Sequence, residues 1–82
     1  MDIERVAELI VAGETSIDIE NGLKIEVSYE AFNDEDWVWI TLADVNEEDY
    51  TIIDTQDTQD CTRDSIEATL ENIMDNNEDW FY

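Results

Sequence analysis

From Ile17 to Tyr29 apolar and polar side chains alternate, and Asn21-Gly22 interrupts them where the register is decided. Ile17 and Ile19 share one face of an extended segment, and Leu23, Ile25, Val27 and Tyr29 share one face of the next. A two-residue loop would pair Ile19 with Lys24 and Ile17 with Glu26, sending the two apolar sets to opposite faces. A three-residue loop, Glu20-Asn21-Gly22, pairs Ile19 with Leu23 and Ile17 with Ile25, so that every apolar side chain faces one way. Such a loop needs a left-handed residue at its third position, and Gly22 supplies it. A three-residue hairpin with a glycine bulge is therefore expected to open the sheet.

Around that hairpin the periodicity places the other elements. Residues 2–12 read as a helix: Asp2 is a suitable N-cap, Ile3, Val6, Ala7 and Ile10 form one stripe, and Gly13 stands at the C-terminal cap. Asn33-Asp34-Glu35-Asp36 reads as an acidic turn. Trp37 to Ala43 reads as a third strand, with Val38, Ile40 and Leu42 on one face and Trp37, Trp39 and Thr41 on the other. Asp44 to Asp49 reads as a second acidic loop and Tyr50 to Asp54 as a short fourth strand. The repeated Thr-Gln-Asp of residues 55–60 reads as a polar connector. Thr62 then caps a helix to about Asn76, with Ile66, Leu70, Ile73 and Met74 as its buried stripe. The aromatic tail Trp80-Phe81-Tyr82 is expected to dock on the domain. The expected fold is α+β: one domain over residues 1–82, a four-stranded antiparallel meander with an N-terminal and a C-terminal helix on one face.

Charge sets the question of function. The chain carries 24 Asp and Glu against 3 Lys and Arg, no His, and a formal net charge of −21. High charge usually means disorder, but 43% of these residues are hydrophobic and the carboxylates are spread along the whole chain. A folded chain of this size has a radius of gyration near ~12 Å and a diameter of roughly 30 Å. Duplex DNA carries about 18 phosphates over that length. Self-repulsion opposes folding, and a small core leaves little margin against it. The charge is thus expected to serve a purpose.

Several classes of function are excluded by residue type. There is no His, no glycine-rich phosphate loop, and no Ser or Cys in a nucleophile setting, so an enzyme is not expected. The lone Cys61 stands among Asp57, Asp60 and Asp64 and reads as passive; a single cysteine fits a reducing cytosol. Asp44 to Asp49 begins like an EF-hand loop. Its sixth position is Asp49 where Gly is needed, and its twelfth is Thr55 where Glu belongs, so no cofactor or metal site is expected. Asp2 and Glu4 lie where a signal peptide would be basic, and Leu9-Ile10-Val11-Ala12 is too short to cross a bilayer. An anionic membrane would repel this surface, and so would nucleic acid. The complementary partners are basic: a nucleic-acid-binding protein, a polycation or loosely held metal ions.

The carboxylates are also patterned. Asp64, Glu67, Glu71 and Asp75, with Glu78 beyond them, fall within about 80° of one another on the last helix, opposite its apolar stripe. That face is expected to have no Lys or Arg to relieve their repulsion. Asp18, Glu20 and Glu26 alternate with the isoleucines of the first hairpin. The loops add Asp34, Glu35, Asp36, Asp44, Glu47, Glu48 and Asp49. If Val38, Ile40 and Leu42 face the helices, Trp37 and Trp39 project onto the acidic sheet face as contact residues. The alternative buries the tryptophans in the core. In either arrangement the second face is too apolar at this strand for solvent alone, and a partner or a homodimer contact is expected there.

In size, charge, lack of His and acid-decorated α/β build, the whole chain resembles the small acidic inhibitors of phages and mobile elements: anti-CRISPR proteins, anti-restriction proteins and uracil-DNA glycosylase inhibitors. The resemblance rests on no shared motif and transfers no site residues. It implies a non-enzymatic DNA mimic in the cytoplasm of an infected bacterial host. Such a protein blocks the basic groove of a CRISPR effector or other DNA-binding nuclease without binding nucleic acid itself; an anti-CRISPR protein is the first expectation. Two alternatives stay open: an immunity or antitoxin protein that neutralises a basic nuclease, and a salt-adapted small domain of a halophile. Against the last, the chain has ten Ile to five Val and five Ala.

Overall fold

The computed structural model describes residues 1–45 and 50–81. Asp2 opens the first helix, α1 (Ile3–Val11), by accepting from the Arg5 amide at 3.2 Å, which satisfies a donor that every helix start leaves unpaired. The helix ends at Gly13, φ 98°. There the amides of Gly13 and Glu14 donate back to the Ile10 and Leu9 carbonyls, each at 3.0 Å, the paired reverse bonds of a Schellman cap. A Cβ on Gly13 would meet nothing within 4 Å, so it is the left-handed backbone that calls for glycine.

Four strands, β1 (Ser16–Asp18), β2 (Leu23–Phe32), β3 (Glu35–Asp44) and β4 (Thr51–Thr58), form one antiparallel sheet in sequence order. The first hairpin has the expected register: Ile17 stands opposite Ile25, and the Ile19 amide donates to the Leu23 carbonyl at 3.0 Å. Gly22 is left-handed at φ 70°, as that register requires. Asn21 joins it at φ 59°, so the loop is a short 3-10 turn over Glu20–Gly22 with two left-handed residues in succession.

The bounds of the third and fourth strands differ from the sequence expectation. The second turn is only Asn33-Asp34, at φ 52° and 64°. These are the paired positive φ values of a two-residue hairpin turn whose twist matches the flanking strands. Phe32 consequently pairs with Glu35 and Ala31 with Asp36, so Glu35 and Asp36 belong to β3 and not to a loop. The fourth strand begins at Thr51 and runs on through Thr58, taking in the Thr-Gln-Asp repeat that reads as a connector. Its threonines suit a pleated edge strand, and the Thr41 and Thr55 hydroxyls lie 3.2 Å apart across the ladder. A bulge where Leu42 pairs with Asp54 and Ala43 with Ile52 leaves Ile53 as the extra residue, packed against the core.

α2 (Arg63–Asn76) is capped by Thr62, whose hydroxyl accepts from the Ser65 amide at 3.4 Å. Asn77 leaves the helical conformation at φ −133°, ψ 38°. The chain then turns into the short α3 (Glu78–Phe81), which buries Phe81 and leaves Trp80 exposed. The core is one cluster: Val6, Ala7 and Ile10 of α1 and Ile66, Leu70 and Ile73 of α2 cover the inner face of the sheet. The architecture is the α+β order expected, α-β-β-β-β-α, with both helices on one face.

Tyr29 ends the inner row of β2, and its hydroxyl donates to the Ile10 carbonyl and, at 3.1 Å, to the Glu14 carbonyl. Its single O–H is shared between a carbonyl in the last turn of α1, which already accepts from the Gly13 amide, and one just beyond the helix. From Ser28 onward β2 is exposed, and the β2–β3 hairpin carries on past the helices. The molecule is accordingly elongated, 38 × 23 × 21 Å, with a radius of gyration of 12.3 Å.

Candidate functional site

Strand alternation divides β3 cleanly. Val38, Ile40 and Leu42 are buried beneath the helices, so Trp37, Trp39 and Thr41 face outward on the open side of the sheet. The tryptophans are therefore not core. Trp37 is half-buried and Trp39 is 39% exposed, while Phe32, on the same face of β2, is 66% exposed. Cross-strand pairing surrounds these rings with acids. Glu30 stands opposite Trp37, Asp57 opposite Trp39, and Glu35 opposite Phe32. Glu30, Phe32, Trp37, Trp39 and Asp57 line a shallow depression of about 300 Å³.

The expected acidic positions separate into distinct places. Asp18 and Glu26 lie on the outer face, Asp18 opposite Lys24 with an ion pair at 3.7 Å and Glu26 opposite Thr41. Glu20 does not share that face: it sits in the 3-10 turn, and its carboxylate pairs with the N-terminal ammonium of Met1. Asp34 occupies the hairpin tip. Asp36 stands opposite Ala31 on the helix side and lines a depression of about 330 Å³ with Glu35, Asp60 and Cys61. Asp44 is the last residue of β3, paired with Leu23 and Thr51, and is not in a loop. Glu47, Glu48 and Asp49 lie outside the described residues.

On α2, Asp64, Glu71 and Asp75 are exposed in a row of roughly 17 Å at 1.5 Å per residue. Glu78 does not extend that row, because Asn77 breaks the helix before it. Nor is the row without a cation. Glu67, at its edge, is half-buried and accepts from Arg63 Nε at 3.0 Å, while Arg63 Nη1 donates to Glu8 of α1 at 3.0 Å. Arg63 stands four residues before Glu67, so that pair is local and legible in the sequence, and only the approach of α1 that brings Glu8 to it is tertiary.

Three contributors to the outer face were not singled out from the sequence: Glu30, Phe32 and Asp57. A signal for the first two was present, since positions 26, 28, 30 and 32 share one face once β2 is allowed to run to Phe32. Asp57 was hidden in the repeat read as a connector.

Every carboxylate among the described residues is exposed or half-buried. On the helix side of the sheet the acidity of Tyr29 is shifted. Burial, then the neighbouring Cys61 and Glu14, push its hydroxyl above the ordinary tyrosine range, which keeps it a hydrogen-bond donor to α1. Among the described residues no three His, Cys, Asp or Glu side chains converge closely enough to hold a metal ion. No helix among them is long and apolar enough to cross a membrane. What the outer face offers is an aromatic strip flanked by carboxylates. No family model, no curated protein and no solved structure matches this chain.

Proposed function

We propose that this protein is a non-enzymatic inhibitor that imitates nucleic acid and occupies the basic DNA- or RNA-binding groove of a host defence protein, acting in the cytoplasm of an infected bacterium. The observation that carries the reading is charge density. A net charge of −21 is held within a longest dimension of 38 Å, and duplex DNA over that length carries roughly 22 phosphates. The charge is also displayed, since no described carboxylate is buried. The exposed strip of Phe32, Trp37 and Trp39 adds what a phosphate backbone lacks, an apolar surface that gains from desolvation against protein. A CRISPR effector is the first candidate target, and a basic nuclease of a toxin pair is the second.

Competition tests this directly. The protein is expected to displace a DNA duplex from its target at a stoichiometric ratio and to show no DNA binding of its own. Affinity for the target is expected to fall steeply between low and high salt, because screening weakens exposed charge pairs. Affinity that does not change with salt overturns electrostatic mimicry. Running CRISPR effectors and basic nucleases side by side separates the two candidate targets.

A further inference from the structure

We propose that the depression on the outer sheet face is an arginine-binding cleft, a deepening of the inhibitor reading above that names the partner group it receives. It is lined by the rings of Phe32, Trp37 and Trp39 together with Glu30 of β2 and Asp57 of β4. The geometry follows from the ladder. Glu30 pairs with Trp37 and Asp57 pairs with Trp39, so each indole has one carboxylate directly opposite it, on opposite sides of β3. A cation lying over either ring therefore has one carboxylate directly across the ladder, from β2 at Trp37 and from β4 at Trp39.

Charge and ring chemistry together select the occupant. A second copy of the chain would bring another −21 against this face, and like charges brought into register oppose association. A neutral apolar segment would leave the rim carboxylates to be desolvated without a partner, which is costly. A cation satisfies both surfaces at once. Of the two cationic side chains, arginine fits better. Its planar guanidinium stacks on an aromatic face, sheds water more readily than an ammonium, and presents a fork of donors to a carboxylate at the ring's edge. Lysine offers a compact, strongly hydrated charge that gains less from the indoles. The predicted ligand is thus an arginine side chain displayed by the partner protein, drawn from the residues that would otherwise grip phosphate.

The test uses the 82-residue chain and two hexapeptides of equal charge, hexa-arginine and hexa-lysine. Binding is followed by the indole N–H resonances and by tryptophan fluorescence. Hexa-arginine is expected to bind at least ten-fold more tightly, with the largest shifts at Trp37 and Trp39 and little at Trp80. Trp39→Ala and the pair Glu30→Gln with Asp57→Asn are each expected to erase most of that preference. The double amide variant removes charge from exposed positions and keeps the fold measurable if Trp39→Ala does not. Equal affinity for the two peptides, or shifts confined to α2 and Trp80, overturns the cleft. Self-association of the protein through the same resonances overturns it too, in favour of a homodimer face. These outcomes are independent of the DNA competition. A salt-sensitive competitor without arginine preference keeps the inhibitor and loses the cleft, and arginine preference without competition does the reverse.

Discussion

Arg63 reaches from the first turn of α2 to Glu8 of α1, with Nη1 3.0 Å from Oε1. Its Nε holds Glu67 at the same distance, so one guanidinium joins carboxylates of both helices. Isolated surface ion pairs contribute little, but this one sits in a field of unrelieved negative charge, where removing a cation also adds repulsion. Arg63→Gln is expected to lower the melting temperature in dilute buffer, and Arg63→Glu to lower it further. Both deficits should shrink when salt is raised from ~0.01 to ~0.5 M, as the screening length drops from about 30 Å to a few ångström. A deficit that salt leaves untouched assigns the effect to the aliphatic stem of Arg63.

The Tyr29 hydroxyl on the Ile10 and Glu14 carbonyls is a separate support, joining β2 to the end of α1. Tyr29→Phe keeps the ring and removes the donor, at an expected cost of about 1 kcal/mol in urea unfolding. A pH dependence accompanies it. The folded state holds the phenol proton more tightly than the unfolded chain, chiefly through burial. Its contribution is therefore complete below the unfolded tyrosine value of about 10 and is lost as pH climbs through the higher folded value. The wild-type protein should lose stability in that alkaline window more steeply than Tyr29→Phe. Parallel curves assign the alkaline loss to other groups.

Much of this fold is written in local pattern. The register of the first hairpin follows from Ile17, Ile19, Leu23 and Ile25 alone, since one slip would turn half of them to water. Alternation likewise sets Trp37 and Trp39 on the face opposite Val38, Ile40 and Leu42, but which set is buried is decided only by where α1 and α2 pack. Legibility stops where polar residues have tertiary partners. Asp54, Gln56 and Thr58 face the helix side of the sheet opposite Leu42, Ile40 and Val38, positions where a strand would ordinarily be apolar. Asp54 is tolerated there because its Oδ2 accepts from Asn77 Nδ2 at 3.0 Å and from Gln56 Nε2 at 3.2 Å. No periodicity announces those bonds. The acidic hairpin is obscured for a different reason. A run of four polar residues reads as a turn, whereas two left-handed residues, Asn33 and Asp34, suffice to reverse the chain. The cleft rim at Asp57 was lost with the strand that carries it.

Salt separates an inhibitor from a salt-adapted protein. The charge of −21 destabilises the folded state by self-repulsion, yet the core is continuous across both helices and the sheet. The domain is expected to be folded in ordinary buffer, with its melting temperature rising over the first ~0.2 M of salt and then levelling as screening saturates. Circular dichroism at low and molar salt reads this. A chain that is unfolded until salt is molar belongs to the halophile reading.

The last prediction concerns where binding energy resides. Single exposed carboxylates act in high dielectric and contribute little each, so Asp64→Asn should leave target binding within two-fold of wild type. Collective changes are different, because each reversed charge acts on the whole basic groove. Reversing Glu26, Glu30 and Asp57 together should abolish inhibition while the circular-dichroism spectrum stays that of the folded domain. Reversing Asp64, Glu71 and Asp75 on α2 should weaken it less, for that face offers charge without exposed aromatic surface. Trp39→Ala is expected to cost about 2 kcal/mol in target binding, roughly thirty-fold, the loss typical of an aromatic anchor at an interface centre. Its effect on stability should be far smaller, since Trp39 lies on the open face, 39% exposed, and outside the core cluster. If Trp39→Ala binds normally while the α2 reversal abolishes inhibition, the helix row is the mimic of the phosphate backbone, and the outer sheet face has some other use.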